Sequence, residues 1–530
     1  MDSILPLFII VISAIFAGVL TAKKNNAMAT ITVFAVYAIV ISVLTYLFMP
    51  VLTPFAFAAY IGITLFIAGA LQMLMSDGEG GVGLVSVLIS ILLFFLLLLV
   101  VFAAPIFGSY QLYSLPRVTE STNLTLISSE NIREVSEETA QWRADKVIGE
   151  IGYKVEVEHM NIQMINGKLV WIAPLDYNGL WKSYVYGNEG TGGYAVVQAE
   201  DSKAEVKLVK DIPMRYTQNA VFGYNLHRLV YADYPGYYLG EHTFQLDADG
   251  NPKWVTMVST PAVNGVVGDI PVGIVVTDPI YGVNEFYPMG RIPDWVQRVM
   301  DEQVTEKYLT YWGEYKYGWW NTIFNQKDFL KPTGGLSIND NGGGSVSVSE
   351  SGDPDVFMVR GTDGKLYWFG SFTTVGKDTS MVGYMLTDLH TGEFKFYRTP
   401  GIYNDIGAAK NVQQNPEVSK VMGTRVSQPI MYLIDGEEVW IMPVITESGE
   451  NVMMGVVRAK TGETYVAPKL NEALAELRGQ TTIDKNLGTL LKQISATSST
   501  DCEKIIDEIA MRLSDLKQCI HTSQTGTCSV

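Results

Sequence analysis

Apolar residues are unevenly spread along this chain. Four runs free of Asp, Glu, Lys, Arg and His occupy its first fifth, at about 4–20, 28–48, 55–75 and 84–107. A helix needs about 20 apolar residues to cross a ~30 Å hydrocarbon core, a length that the last three reach. The first is shorter. It begins Met1-Asp2-Ser3 without the positive region of a secretory signal, so it reads as a retained span. The pattern predicts an N-terminal four-helix transmembrane bundle over 1–109. Small residues such as Ala58, Ala59, Gly62, Ala68, Gly69 and Ala70 let its helices approach closely. Lys23 and Lys24 are the basic residues among the runs. Placing them in the cytoplasm sends everything after about residue 108 to the outside. No ionisable group lies within the runs and Gln72 is the one strongly polar side chain, which favours an anchor or assembly bundle over a pump.

From 110 to 150 the chain turns polar and helix-forming, with Ser128 or Ser129 as a cap followed by acidic residues, a connector into the folded part. Beyond it the periodicity changes to that of strands, and four segments repeat. Asn166-Gly167, Asp249-Gly250, Asp363-Gly364 and Asp435-Gly436 each precede a tryptophan by the same spacing, at Trp171, Trp254, Trp368 and Trp440. A second glycine follows each one, at Gly193, Gly273, Gly383 and Gly455. The third and fourth repeats continue to Thr391-Gly392-Glu393 and Thr461-Gly462-Glu463. Asn-Gly and Asp-Gly favour two-residue turns with φ > 0 at both positions, so each unit predicts a hairpin, a variable loop and a second hairpin. The fixed register of the four Trp suits buried anchors better than a ligand groove.

These residues resemble the PepSY family of small extracytoplasmic domains, in which a strand ends in -DG- and a hairpin leads to -TGE-. Asp435 to Tyr465 and Asp363 to Tyr397 match best. The second unit departs, carrying Asp278-Pro279-Ile280-Tyr281-Gly282 where Thr-Gly-Glu is expected. The resemblance implies a binding or regulatory module without a catalytic motif, and no functional residue is carried over from it.

The repeats form two pairs, 151–290 and 355–468. Between them, 291–332 is aromatic: Tyr308, Tyr311, Trp312, Tyr315 and Trp319 follow the spacing of one helical face. That stripe either docks the helix on neighbouring β-units or offers a binding face to a partner or membrane surface. Residues 333–354 are Gly/Ser-rich and read as a flexible linker. The tail, 469–530, reads as helical and holds Cys502, Cys519 and Cys528. A Cys519–Cys528 bridge is sterically easy there. Cys502 and Cys519 on one helix would stand about 25 Å apart.

Composition narrows the function classes. A net charge of −17 disfavours nucleic acid and other anionic partners. The histidines (His159, His227, His242, His390, His521) make no HExxH or short helical pair. No Walker loop, GxSxG or CxxC occurs. Ser514-Asp-Leu-Lys517 matches SxxK on an amphipathic helix, and Asn123-Leu-Thr is a single sequon. Asp247-Ala-Asp249-Gly-Asn251 begins like a calcium loop, but Val258 stands where the bidentate Glu belongs. The resulting expectation is an α+β protein: the four-helix membrane bundle, a β-rich ectodomain of tandem hairpin repeats with connecting helices, and a helical C-terminal tail. It is expected to be a non-enzymatic binding or assembly protein in the membrane, with no cofactor. Its partners would be the lipid bilayer, other envelope proteins or further copies of itself. The alternatives are an accessory or sensor subunit of a transport or signalling complex, and an envelope hydrolase.

Overall fold

A computed structural model describes residues 45–75, 81–121, 131–149, 154–340, 346–374 and 380–479, with a few isolated positions besides. The repeat turns organise it. Asn166 and Gly167 have φ of 51° and 76°, and Asp435 and Gly436 have 52° and 86°, the two-residue turns expected. The other two differ. Only Gly250 and Gly364 have positive φ, and Asp247 N–H reaches Asn251 O while Gly361 N–H reaches Lys365 O, a turn one residue longer closed by a glycine bulge. Downstream, the Asp278–Gly282 segment is no departure in shape. Gly282 N–H donates to Asp278 O as Gly392 donates to Asp388 and Gly462 to Arg458, each with a left-handed glycine.

Each repeat becomes one antiparallel sheet built around the strand that follows its turn: Lys168–Tyr177, Pro252–Val263, Leu366–Thr373 and Glu437–Thr446. The four Trp lie on these strands, buried, and all make the same bond. The indole N–H donates to the carbonyl of Val135, Tyr216, Met300 and Tyr403 respectively, at 2.8–3.0 Å, in the segment that delivers the chain to the sheet. Each tryptophan thus anchors its sheet and pins the incoming chain, so a buried donor and a buried acceptor satisfy one another. The second glycine of each repeat lies on the next strand, where a Cβ would stand 1.9 Å from Val209 O at Gly193, 2.4 Å from Tyr287 O at Gly273 and 2.4 Å from Tyr397 O at Gly383.

The sheets pack in cyclic order. The first and second share a core of Ile172, Tyr194, Phe244 and Trp254. Met257 of the second joins the helix Glu302–Glu314 and the third sheet in another. Phe357 and Phe369 of the third stand against Trp440 of the fourth. The fourth returns to the start, where Tyr432 Oη accepts Arg133 N–H and Asn451 Nδ2 donates to Glu134 O. The third sheet also takes in a parallel strand, Val118–Ser121, paired in register with Phe394–Tyr397. The 333–354 stretch is a hairpin of Gly334–Asp340 with Val346–Pro354 rather than a linker.

The expected four-helix bundle is corrected. Among the described residues one helix, Leu84–Phe107, is long and apolar enough to cross a membrane; Pro54–Ile67 is a shorter apolar stretch. The helices Pro54–Met75 and Gly81–Phe107 pack together, with Gly62 against Leu93. Apolar runs alone do not fix a bundle: the run at 4–20 and most of 28–48 lie outside the described residues. The protein is mainly β-sheet. A second unit begins at Ala467, and in its described part Leu470–Leu477 is helical. Asn123, Cys502, Cys519, Cys528 and Ser514 lie outside the described residues.

Candidate functional site

Two of the incoming segments are near-copies. Arg133 and Arg298 each stand two residues before the carbonyl that receives a Trp indole, and each guanidinium lies over that Trp ring, 5.3 Å from Trp171 and 4.8 Å from Trp368. Three residues on, a cap opens a helix: Ser136 accepts Thr139 N–H, and Asp301 accepts Val304 N–H. The next residue is glutamate in both, Glu137 and Glu302, in the first turn where the helix dipole favours an acid. One turn further stand Gln141 and Glu306. The strands that lead through the turn into the Trp-bearing strands of the first and third sheets, Asn161–Ile165 and Phe357–Arg360, add a third equivalent pair, His159 and Asp355, each two residues before its strand. The first repeat therefore presents Glu, Gln and His where the third presents Glu, Glu and Asp.

Arg133, Glu137, Gln141, His159 and Asp355 face a polar cavity. A chamber of about 670 Å³ is lined by Arg133, Glu137, Gln141, His159, Asp355 and Arg425 among others, with Leu336 and Ile338 of the 334–354 hairpin on one wall. An adjoining space of about 260 Å³ shares Arg133, Glu137, His159 and Gln428 and reaches Arg298, Glu302, Glu241 and both tryptophans. Both arginines are 6 % exposed. Arg298 is held by Glu241 at 2.6 Å, Glu302 at 3.2 Å and Asn161 at 3.2 Å; Arg133 donates to Gln428 at 3.0 Å.

Carboxylate atoms of Glu302, Glu306 and Asp355 lie within 4.8 Å of one another. Burial disfavours their charged forms. Glu302 is pushed up to about 7, by burial first and then by Glu241 and Asp355, against the pull of Arg298. Glu306 is pushed up to about 8 by burial and by Glu302 and Asp355. Burial lifts Asp355 to about 6 and, with the adjacent Glu138 charge, raises Glu137. Three carboxylate oxygens this close together suit a hard divalent cation, which would replace the protons they hold. The same groups, part protonated near neutrality, have the proton affinity that general acid–base chemistry requires.

The aromatic residues singled out from the sequence sit elsewhere. Tyr308 is buried, its ring 5.6 Å from Phe394 and its hydroxyl bonded to Asp269 O. Trp312 packs on Phe372 and Phe396, and Tyr311 stacks on Tyr315 beside the cluster at the C-terminal end of the long apolar helix, with Ala104, Leu112 and Val263. Their helix ends at Glu314; Gly318, with φ of 81°, starts a new turn at Trp319, so Trp319 belongs to a different helix. Missed by sequence reasoning were Arg133, Glu137, His159, Arg298, Glu302, Glu306 and Asp355. The signal available was the pair Arg-x-x-(Ser/Asp)-Glu at 133–137 and 298–302, hidden because the distance onward to Trp differs between the two.

No family model and no curated protein matches the chain. Among solved structures it aligns with a thermostable family-43 glycoside hydrolase (11 % identity, 59 % of this chain and 75 % of that chain, TM-score 0.17). It also aligns with a GH43_1 enzyme from Xanthomonas citri complexed with xylose (10 %, 68 % and 93 %, 0.16) and with a Trypanosoma rangeli sialidase in complex with sialic acid (10 %, 65 % and 51 %, 0.16). The expectation of a protein without enzymatic activity is withdrawn on the chain's own chemistry, because the fold gathers carboxyl groups poised near neutrality. At such TM-scores the likeness assigns neither fold nor activity to this chain.

Proposed function

We propose that the chain is a membrane-anchored protein whose four-sheet body binds a polar ligand in its central chamber, with Glu302, Glu306 and Asp355 seating a hard divalent cation. The observation that carries this reading is the duplicated Arg–Glu framework, which brings three carboxylates together, Asp355 bordering the chamber and Glu302 the adjoining space, while the first repeat keeps Gln141 and His159 at the equivalent positions. The cation offsets two of the trio's three charges, and Arg133, Arg425 and Gln428 line the chamber where they can receive the anionic or hydroxyl groups of the ligand. The PepSY-like turns fit a setting outside the cytoplasm. Calorimetry of the detergent-purified full chain with calcium, magnesium and manganese at pH 8 tests it. One saturable site is expected, lost in Asp355→Asn; no binding of any of the three ions would defeat the reading.

A second reading places hydrolysis at the same trio. It is favoured by Glu302 and Asp355 titrating at about 7 and 6, which lets one act as acid while the other is ionised. It predicts turnover of a chromogenic glycoside, ester or phosphoester in a broad panel, abolished by Glu302→Gln. A wild-type protein inert on the whole panel argues against it.

A further inference from the structure

The chain enters the four-sheet body twice from one side of the membrane helices. Pro54 begins the first described membrane-proximal helix and Phe107 ends the second, so with the two packed as a hairpin these ends lie together. Three parts of the body are tied to that end. Arg228 Nη1 and Tyr231 Oη, on the helix Leu226–Asp233, donate to the carbonyls of Tyr46 and Pro50, and Leu52 N–H donates to Pro235 O. The tip of the second sheet packs Val263 against Ala104 and Leu112, and Gln111 donates to Ala262 O. The short helix Trp319–Ile323 sits beside the end of Gly81–Phe107, with Gly318 next to Tyr110.

A surface of bare aromatic and aliphatic side chains is continuous with these ties. Phe222 opens the turn Phe222–Tyr224, and Asn225 joins that turn directly to the helix Leu226–Asp233. Tyr184 packs on Phe222 and Trp181 on Tyr184, with ring centroids 6.3 and 5.7 Å apart. Leu180 and Trp181 are each 75 % exposed, Tyr184 63 % and Phe222 62 %, and none is more than half buried. On the other flank, next to the membrane helix, Trp320 stacks on Phe324, and Phe324 is 72 % exposed. Single exposed apolar residues are ordinary, but clusters of Trp, Tyr and Phe beside a membrane helix are what a headgroup–acyl boundary accommodates.

We propose that Leu180, Trp181, Tyr184 and Phe222, with Trp320 and Phe324, form an interfacial face that lies in the bilayer surface, so that the body rests on the membrane. The occupant is lipid. The face adjoins the loop at 46–52 and the outer end of the membrane helix, and the rings offer the rigid, half-polar surface that the interface takes in. The proposal rests on the membrane anchoring read from Leu84–Phe107, and its test separates the two.

Single cysteines at Tyr184, Phe222 and Phe324 are introduced into the full chain with Cys502, Cys519 and Cys528 changed to Ser. They are labelled with an environment-sensitive fluorophore and reconstituted into phosphatidylcholine vesicles. Leu96→Cys reports the membrane helix. Asp249→Cys is the reference, because it lies at the far end of the 12-residue strand Pro252–Val263, about 40 Å from the membrane-side tip. Quenching by phosphatidylcholine spin-labelled near the headgroup is expected at 184, 222 and 324, at least about twofold above 249. Iodide should quench 249 and spare the three. Iodide quenching at 184 and 222 without lipid quenching overturns the proposal by placing them in water. Protection from both quenchers overturns it by placing a second copy there. If Leu96→Cys escapes deep-chain spin labels, the anchoring itself fails. Intrinsic fluorescence of unlabelled protein in brominated-lipid vesicles, compared with Trp181→Phe, gives a second reading that needs no cysteine: loss of a lipid-quenched component in the variant is expected, and an unchanged quenched fraction counts against the face.

Discussion

Calcium bound at the carboxylate trio should expel protons, and the number follows from the site. Asp355, Glu302 and Glu306, titrating at about 6, 7 and 8, together hold about 2.4 protons at pH 6, about 1.5 at pH 7 and about 0.6 at pH 8. All must leave before three carboxylates can ligate. The apparent affinity should therefore climb roughly a thousand-fold between pH 6 and 8. The three titrate as one cluster, so calorimetry reads the total proton count rather than a value for each group. Titrations at pH 7 in buffers of different ionisation enthalpy give that count as a slope. Glu306→Gln removes the group that holds its proton longest: release should fall to about 0.6 at pH 7, and affinity at pH 8 should drop about 10- to 100-fold with a charged ligand lost. A binding enthalpy that does not depend on the buffer, or an affinity unchanged from pH 6 to 8, would refute the reasoning.

Other outcomes follow from the same structure. Without added cation, the raised carboxylates stabilise the fold fully below their unfolded values, and that contribution is lost as pH rises through about 6 to 8. The melting temperature should fall over that window, and Glu306→Gln should flatten the fall. His242, pushed down to about 3 by burial and by His227 at 3.0 Å, acts in the opposite sense. Its neutral form stabilises above the unfolded value near 6.5, so stability is lost as pH falls below it, and His242→Gln should shallow that acid limb in denaturant titrations. Trp440→Phe leaves the Tyr403 carbonyl without its indole donor; a loss of about 1–3 kcal/mol is expected in chemical unfolding, against about 3–5 for Trp440→Ala. Gly383→Ala drives a Cβ to 2.4 Å from Tyr397 O and should cost about 1–3 kcal/mol or more. Gly250→Ala, in open space but at φ of 82°, should cost about 1 kcal/mol.

How much could be read in advance depended on distance along the chain. The turn glycines and the tryptophans declare themselves because turn chemistry is local and their spacing is fixed within one hairpin. The indole partners could not be read, since Val135, Tyr216, Met300 and Tyr403 lie 36 to 68 residues from their tryptophans and any carbonyl can accept. The 333–354 hairpin was legible in principle: Val346-Ser-Val348-Ser alternates with period two, a signal overshadowed by the neighbouring glycines. The aromatic stripe was real over Tyr308 to Trp312, but helical spacing cannot reveal that Gly318 ends the register before Trp319. The acidic site was concealed most completely. Glu137 and Glu302 are ordinary first-turn acids in sequence, and only cyclic packing of the sheets gathers segments as far apart as Arg133 and Asp355.

The parallel strand Val118–Ser121 has a mechanical consequence. It begins eleven residues after Phe107, the last residue of the candidate membrane helix, and its partners Phe394–Tyr397 lie on the third sheet, the sheet that also supplies Trp368. Tension between a bilayer and the body would run along this strand, loading its ladder in shear, where all the hydrogen bonds resist at once rather than unzipping singly. The pull would end in the sheet that borders Asp355 and stacks against Trp312 of the Glu302–Glu314 helix, so strain in the tether and the geometry of the carboxylate trio share one load path.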